Sequence, residues 1–334
     1  MTPRVSICIP TYNSSQYLTE AIESALAQEV TDYELVICDN ASADATLEIC
    51  QRYEDPRVRY VRFNELVGQA SNWNRCLDLA VGEFVVLLHA DDVLKPAFLR
   101  RALEVLDKNP DVGLVHCSVE HIDQSGAPLQ VQKLYDEDRI DSGEALFKRL
   151  VLDGCVVNPA GVIVRRTAYD AVGRFTEEIV WGVDWHMWMR IGLHSQVAYL
   201  ADALALYRQH PQSGTSGVMA TARNATDEMW MLDDIFSESS REPRTAALYE
   251  EGKRRAAHRT WCFAEELCRL GLQSSARAQI RQTIRILPSM LFSGRVWTLW
   301  FATYLGYGWF ERAHSCKKHL VRRQAAVNLS GNQR

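Results

Sequence analysis

The chain has 334 residues, of which 47% are hydrophobic, 24% charged and 9% aromatic. These fractions are ordinary for a soluble globular protein and exclude collagen-like, disordered and transmembrane-bundle chains, while the length allows two domains of roughly 100 to 200 residues. The net charge of -5 is unevenly spread: residues 1–240 carry 20 basic and 36 acidic side chains, residues 241–334 carry 17 and 6. An acidic body with a basic end argues against nucleic acid as a partner, because a phosphate backbone needs a basic stripe.

Short β-branched runs alternate with amphipathic stretches from the start. VSICIP (5–10), YELVICD (33–39), VRYVRF (58–63) and EFVVLLH (83–89) are predicted strands, and Tyr17–Gln28, Asp44–Tyr53 and Gln69–Val81 carry apolar residues at helical spacing. The order βαβαβαβ predicts an α/β fold, a mainly parallel, Rossmann-like nucleotide-binding sheet with helices on both faces. Ligands on such sheets sit at the carboxyl ends of the strands. Pro96–Asp107 is a predicted helix and Val112–Cys117 a strand, followed by a polar section, 121–141, expected as loops beside the site. Ala160–Val164 and Val197–Leu200 read as strands bracketing a helix over Asp184–Leu193.

From about Val218 the pattern is helical: 218–238, 244–270, 274–286 and 296–321, with one hairpin across Gly271. The longest apolar stretch, Val296–Phe310, has 15 residues where a spanning helix needs about 20. It is rich in Trp and Tyr, follows Arg295 and precedes Arg312, Lys317, Lys318, Arg322 and Arg323. Two readings stand: an interfacial segment, 290–334, facing an anionic membrane surface, or a helix packed on the body with its cations in solvent. Nine cysteines, most inside apolar runs, suggest free thiols in a reducing cytosol, with no zinc spacing. The N-terminus lacks a basic segment followed by a long apolar one, so a cytoplasmic location is expected.

Four polar segments fall at strand ends or in the following loops: Pro10-Thr11-Tyr12-Asn13, Asp39-Asn40-Ala41-Ser42-Ala43-Asp44, His89-Ala90-Asp91-Asp92 and Gly182-Val183-Asp184-Trp185. Asp39, Asn40, Ser42 and Asp44 suit a capped βα turn, and a carboxylate at that edge can also accept from a ring N–H. Asp91 and Asp92 leave a buried strand together. Two such carboxylates repel unless a proton or a hard cation joins them. Asp184 opens an amphipathic helix, where Asp is a natural N-cap as well as a potential base.

In order and spacing the four segments together resemble the family 2 inverting glycosyltransferases of GT-A fold, of the bacterial polysaccharide type, over roughly residues 4–215. The resemblance implies a catalytic domain over 1–217, with nucleotide-sugar binding in about 1–117 and the acceptor side in about 118–217, followed by a helical, basic region over 218–334. It implies that Pro10, Thr11, Tyr12 and Asn13 line the nucleoside pocket and that Asp39, with Asn40 beside it, accepts the N3–H of uracil or thymine. It also sets Gln69, Asn74, His89, Ala90, Asp91 and Arg208 near the donor. Asp91, with Asp92 and His210, would hold Mg²⁺ or Mn²⁺ at the diphosphate, and Asp184 would be the general base. Trp181 and Trp185 would offer faces to an acceptor sugar.

The chain departs from the family pattern in two places. His89 stands where the first acid of the Asp-X-Asp motif is usual, and Val183 where Glu often precedes the catalytic Asp. His89 then either bonds ribose or phosphate or is an uninvolved strand-end histidine, and Asp92 either ligates or caps a helix. Ser213, Thr215 and Ser216 suggest a flap that orders with donor. The implied reaction moves a sugar from a UDP- or dTDP-linked donor to a glycan or polyprenyl-linked glycan. The absence of G-x-G-x-x-G after the first strand excludes a dinucleotide enzyme. A nucleotidyltransferase, or a relative that binds nucleotide sugar without turning it over, remains the alternative.

Overall fold

The computed structural model describes residues 2–210, 218, 221–237 and 243–308. The chain divides into two compact units, residues 1–213 and 214–334. The first is built on one ten-stranded sheet. β1 (Val5–Thr11), β2 (Tyr33–Asn40), β3 (Val58–Phe63) and β4 (Phe84–Leu87) pair in parallel in the order β3-β2-β1-β4. β1, β2 and β4 are near-continuous apolar runs because both faces are covered, which is why they are legible as strands. α1 (Leu18–Leu26), α2 (Thr46–Cys50) and α3 (Gln69–Leu79) link them. Gly82 is required here: a Cβ would stand 2.6 Å from the Ser6 nitrogen.

Beyond β4 the sheet becomes mixed. β6 (Val112–Ile122), β9 (Val162–Arg165) and β10 (Gln196–Arg208) follow in the order β4-β9-β6-β10, with β9 antiparallel to both neighbours and β6 parallel to β10. The short β5 (Val93–Leu94) closes the edge on β10. Section 121–141 is therefore not a set of loops. β6 runs through Ile122 and turns into a hairpin with β7 (Pro128–Gln132), and β8 (Arg139–Asp141) pairs with β10. Its polar stretches misled because part of what holds them is distant in sequence: His121 meets Gln209 as well as Gln132, the Leu134 amide donates to the Tyr199 hydroxyl at 2.9 Å, and Asp138 accepts from the Ala201 amide at 2.8 Å.

α4 (Phe98–Lys108) buries Phe98, Leu99, Ala102, Leu103 and Leu106 on one face, and truncating Leu99 to Ala would cost ~2–5 kcal/mol. α5 (Gly143–Asp153) and α6 (Arg166–Val172) were not anticipated, whereas α7 (Val183–Gly192) lies where expected.

The second unit contains α8 (Arg223–Phe236), α9 (Pro243–Arg269), α10 (Gln273–Ile286) and α11 (Gly294–Leu305). The expected helix over 296–321 is interrupted at Gly306, whose φ of +91° ends α11; Tyr307 and Gly308 are helical again, and 309–321 lie outside the described residues. No helix among the described residues is long and apolar enough to cross a membrane. Cys316, the proposed flap at 213–216 and the cations from Arg312 onward lie outside the described residues.

Candidate active site

The polar segments after β1, β2 and β4 gather at one edge of the sheet because these adjacent strands run in the same direction. Two residues there take left-handed backbone without being glycine, Asn13 (φ +49°) and Ala41 (φ +60°). Asn tolerates this conformation and Ala pays for it, so the loops must be held from outside. They hold each other: the Asn13 amide donates to Ser42 Oγ at 2.9 Å, and the Ala43 amide to Asn13 Oδ1 at 2.8 Å. Asp44 closes the same strap, accepting from the Ser15 and Thr46 amides and the Thr46 hydroxyl. Burial pushes its carboxyl up, but these bonds outweigh it and hold it down at about 2.

Asp39 is fully buried at the end of β2. Its Oδ1 accepts from the Ser42 amide at 2.9 Å and its Oδ2 from the Tyr60 hydroxyl at 2.5 Å, with Arg62 Nε 4.0 Å away. Each oxygen keeps a second lone pair, so the carboxylate can still accept from a ligand. Pro10 is half-buried, Thr11 buried with its hydroxyl unpartnered, and Tyr12 exposed. Asn40 spends its amide on the Val67 backbone, donating at 2.8 Å and accepting at 3.0 Å, and so pins the loop before α3. Asn74 does the same to Phe175 across 101 residues. Gln69 is exposed at the start of α3.

After β4, Ala90 is buried while its neighbours form an acidic cluster with an imidazole. Ligand atoms of His89, Asp91 and Asp92 all lie within 4.8 Å of one another. Asp92 is wholly buried; its Oδ1 accepts from the Arg208 amide at 3.0 Å, whereas Oδ2 has no hydrogen-bond partner and lies 3.6 Å from His89 Nδ1. Burial and the Asp91 charge push the Asp92 carboxyl far up, against the opposing pull of Arg208. Asp91 is partly exposed and its Oδ2 lies 2.9 Å from His210 Nε2. The donor set fits a divalent cation: it has two carboxylates, two imidazoles close by, and a buried oxygen still lacking a partner. His89 belongs to this cluster, whereas the sequence offered it either to ribose or phosphate or as an uninvolved strand-end histidine.

Arg208 is buried. Its guanidinium lies over the Tyr17 ring at 4.7 Å and is consumed by the Asp91 and Asp123 carbonyls and the Glu20 carboxylate, so it braces the Asp91 loop and offers little free charge to a phosphate.

Asp184 opens α7. Gly182 precedes it with φ +72°, a left-handed turn that aims the helix start toward the sheet edge. Asp184 and His89 line one small apolar cavity of about 10 Å³, room for roughly one water, with Trp73, Phe175, Tyr169 and Trp188 among its walls. His89 stacks on Trp73 at 5.1 Å and 21°. Burial pushes the Asp184 carboxyl up, and the Trp185 amide and His89 pull it partway back. That leaves a desolvated carboxyl beside the cation cluster, suited to taking a proton.

Trp185 is a correction: it is buried and its indole N–H donates to the Leu150 carbonyl at 3.1 Å, so its faces are core and unavailable to a sugar. Trp181 is half-buried against its edge. Trp73, Phe175 and Tyr60 were missed. Trp73 lies on the α3 face turned to the sheet and reads as core, and Phe175 reaches the cavity only through the tertiary bond to Asn74.

A parallel half-sheet whose carboxyl edge carries a buried acid, two acids with an imidazole and a desolvated helix-start carboxylate has the layout of a GT-A type glycosyltransferase. Residues 6–173 match the glycosyl transferase family 2 model, about half of the chain, and the protein belongs to that family. An uncharacterized Mycobacterium tuberculosis protein is 30% identical over 71% of this chain and 78% of its own. In fold the chain is similar to Staphylococcus aureus TarS 1–349 in complex with UDP-GlcNAc (TM-score 0.57, 18% identity, 86% of this chain and 92% of that one). It is likewise similar to the Pyrobaculum calidifontis mannosyltransferase PcManGT in complex with GDP-Man and Mn²⁺ (TM-score 0.56, 18% identity, 88% and 76%).

Proposed function

We propose that this glycosyltransferase inverts the anomeric centre, moving a sugar from a UDP- or dTDP-linked donor to a hydroxyl of a glycan or polyprenyl-linked glycan. Residues 1–217 would do this, with the donor on about 1–117 and the acceptor on 118–217. The observation that carries the reading is the cavity shared by Asp184 and His89, which sets a desolvated carboxylate beside the cation cluster. The fold neighbours TarS and PcManGT in complex with nucleotide sugars, one also with Mn²⁺, support the donor class.

Asp39 accepts the N3–H of the base, with Pro10, Thr11, Tyr12 and Asn13 around the nucleoside. Uracil and thymine share that edge, so both donors remain. Asp91 and Asp92, joined by His89 or His210, would hold a divalent cation, which when bound would offset negative charge on the diphosphate. Asp184 takes the proton of the attacking hydroxyl, and the apolar walls of Trp73, Phe175 and Trp188 exclude competing water. One displacement suffices, and an α-linked donor yields a β-glycoside. The enzyme works in the cytoplasm, at the cytoplasmic face of the membrane when its acceptor is lipid-linked, with a contact through 290–334.

A panel of nucleotide sugars scored for cation-dependent binding and slow hydrolysis tests this. Turnover of one donor that is lost in Asp184→Asn while binding persists supports it; binding without hydrolysis or transfer would assign the chain to the non-catalytic alternative that Val183 and His89 suggest. Pyrophosphate release from a nucleoside triphosphate and a sugar 1-phosphate, assayed alongside, would assign it to nucleotidyl transfer.

A further inference from the structure

The helical unit carries an apolar surface of a different kind. α11 is two-faced. Val296, Leu299, Ala302 and Thr303 are buried against Ala264, Leu267 and Ile280, whereas Trp297, Phe301, Tyr304 and Leu305 are exposed at the i, i+4, i+7, i+8 spacing of one helix face. The 3-10 turn Pro288–Phe292 before it adds Leu291 and Phe292, the latter 92% exposed. Six large apolar side chains in water over so short a stretch exceed the scattered exposure of an ordinary surface. Their polar atoms suit removal from water: the Trp297 indole N–H already donates to the Leu291 carbonyl at 2.7 Å.

The segment that carries this face, together with the helix before it, has charge of one sign, the nearby acid Glu265 lying on α9 and accepting from the Tyr307 hydroxyl. Residues 271–308 contain Arg277, Arg281, Arg285 and Arg295 and no Asp or Glu. Arg277 lies over the Tyr304 ring at 4.7 Å and bonds the Thr303 carbonyl, so α10 runs alongside the stripe, and Arg281 and Arg285 continue its row one and two turns on. On α9 of the same unit the arginines have local partners: Arg254 and Arg255 pair with Glu251 and Arg269 with Glu266. Among the described residues no carboxylate pairs with Arg281, Arg285 or Arg295. A stripe of Trp, Phe and Tyr flanked by unpaired guanidinium groups matches an interface of acyl chains beneath anionic headgroups, with the long arginine stems reaching up to the phosphates.

We propose that the α11 stripe, with Phe292 at its tip and the α10 arginines at its flank, seats the protein on an anionic bilayer surface, lying in the interface without crossing it. This names the residues behind the membrane contact given above, but it rests on a different observation from glycosyl transfer and needs no donor, so either can fail alone.

The test is flotation of the full chain with phosphatidylcholine vesicles, alone or containing about a third phosphatidylglycerol. Binding is expected to the anionic vesicles and to fall at least about tenfold when Phe292, Trp297 and Phe301 are all changed to Ser, with unchanged far-UV circular dichroism. Arg281→Gln with Arg285→Gln and Arg295→Gln is expected to erase the preference for anionic vesicles. The proposal is overturned if the full chain floats with neither vesicle, if the Ser variant floats as well as the parent, or if the parent is a dimer that the Ser variant turns into a monomer, which would give the stripe to a second copy.

Discussion

Asp184 and His89 face each other across one small apolar cavity, although 95 positions separate them in the chain. Burial makes ionising Asp184 unfavourable, and the imidazole offsets part of that cost. Replacing the carboxyl by an amide of the same shape should therefore remove the base without harming the fold. Asp184→Asn is expected to lower transfer by about 10²–10⁴-fold, to leave UDP binding in place, and to unfold at the parent's temperature or above. Calorimetry and a donor-turnover assay read both outcomes, and a destabilised variant would show that the carboxylate has a structural task.

The cation cluster makes a separable prediction. Asp91 is the partly exposed acid, whereas Asp92 is wholly buried with one oxygen on the Arg208 amide. Asp91→Asn should weaken Mn²⁺ binding, read by electron paramagnetic resonance, by at least about tenfold at normal stability. Asp92→Asn keeps the oxygen that accepts from the Arg208 amide and removes a charge that burial and Asp91 disfavour, so it should weaken Mn²⁺ binding at the parent's stability or above. A chelator should weaken UDP-sugar binding in the parent and do little in Asp91→Asn.

Tyr60 and Asp39 separate base recognition from scaffolding. Tyr60→Phe frees Asp39 Oδ2, so UDP binding should be unchanged or tighter. Asp39→Asn loses an acceptor for the ring N–H, and UDP should bind about tenfold or more weakly. Fluorescence titration with UDP checks the pair.

His116 predicts the acid stability of the sheet. It is buried in β6 against Tyr199, and burial lowers its pKa from 6.5 to about 4. The unfolded chain protonates first, so stability present above pH 6.5 is lost as pH falls toward 4, by up to about 3 kcal/mol. His116→Phe should remove that part of the decline. Urea unfolding at pH 7 and pH 4.5 compares the two chains.

The parallel half of the sheet was legible because strands buried on both faces are apolar runs. The mixed half was not: in β6, His116, Ser118 and His121 are polar yet buried, His116 against the Tyr199 ring, Ser118 bonded to the Tyr199 hydroxyl and His121 to Gln132 and Gln209, mostly partners no local window contains. The candidate site shows the same divide. Asp39, Asp91 and Asp184 are marked by where they leave an element. Asn40, Asn74 and Arg208 have the residue types of ligand binders, but their donors are engaged within the protein. Trp185 looked available until its burial was known.

The most direct measurement is calorimetric titration of UDP with Mn²⁺ into the parent, Asp39→Asn, Asp91→Asn and Asp184→Asn. Acids serving one cleft in different roles predict weakened binding in the first two variants and near-parental binding in the third. Parental affinity in Asp39→Asn and Asp91→Asn would contradict the assignment of the sheet's carboxyl edge as the donor site.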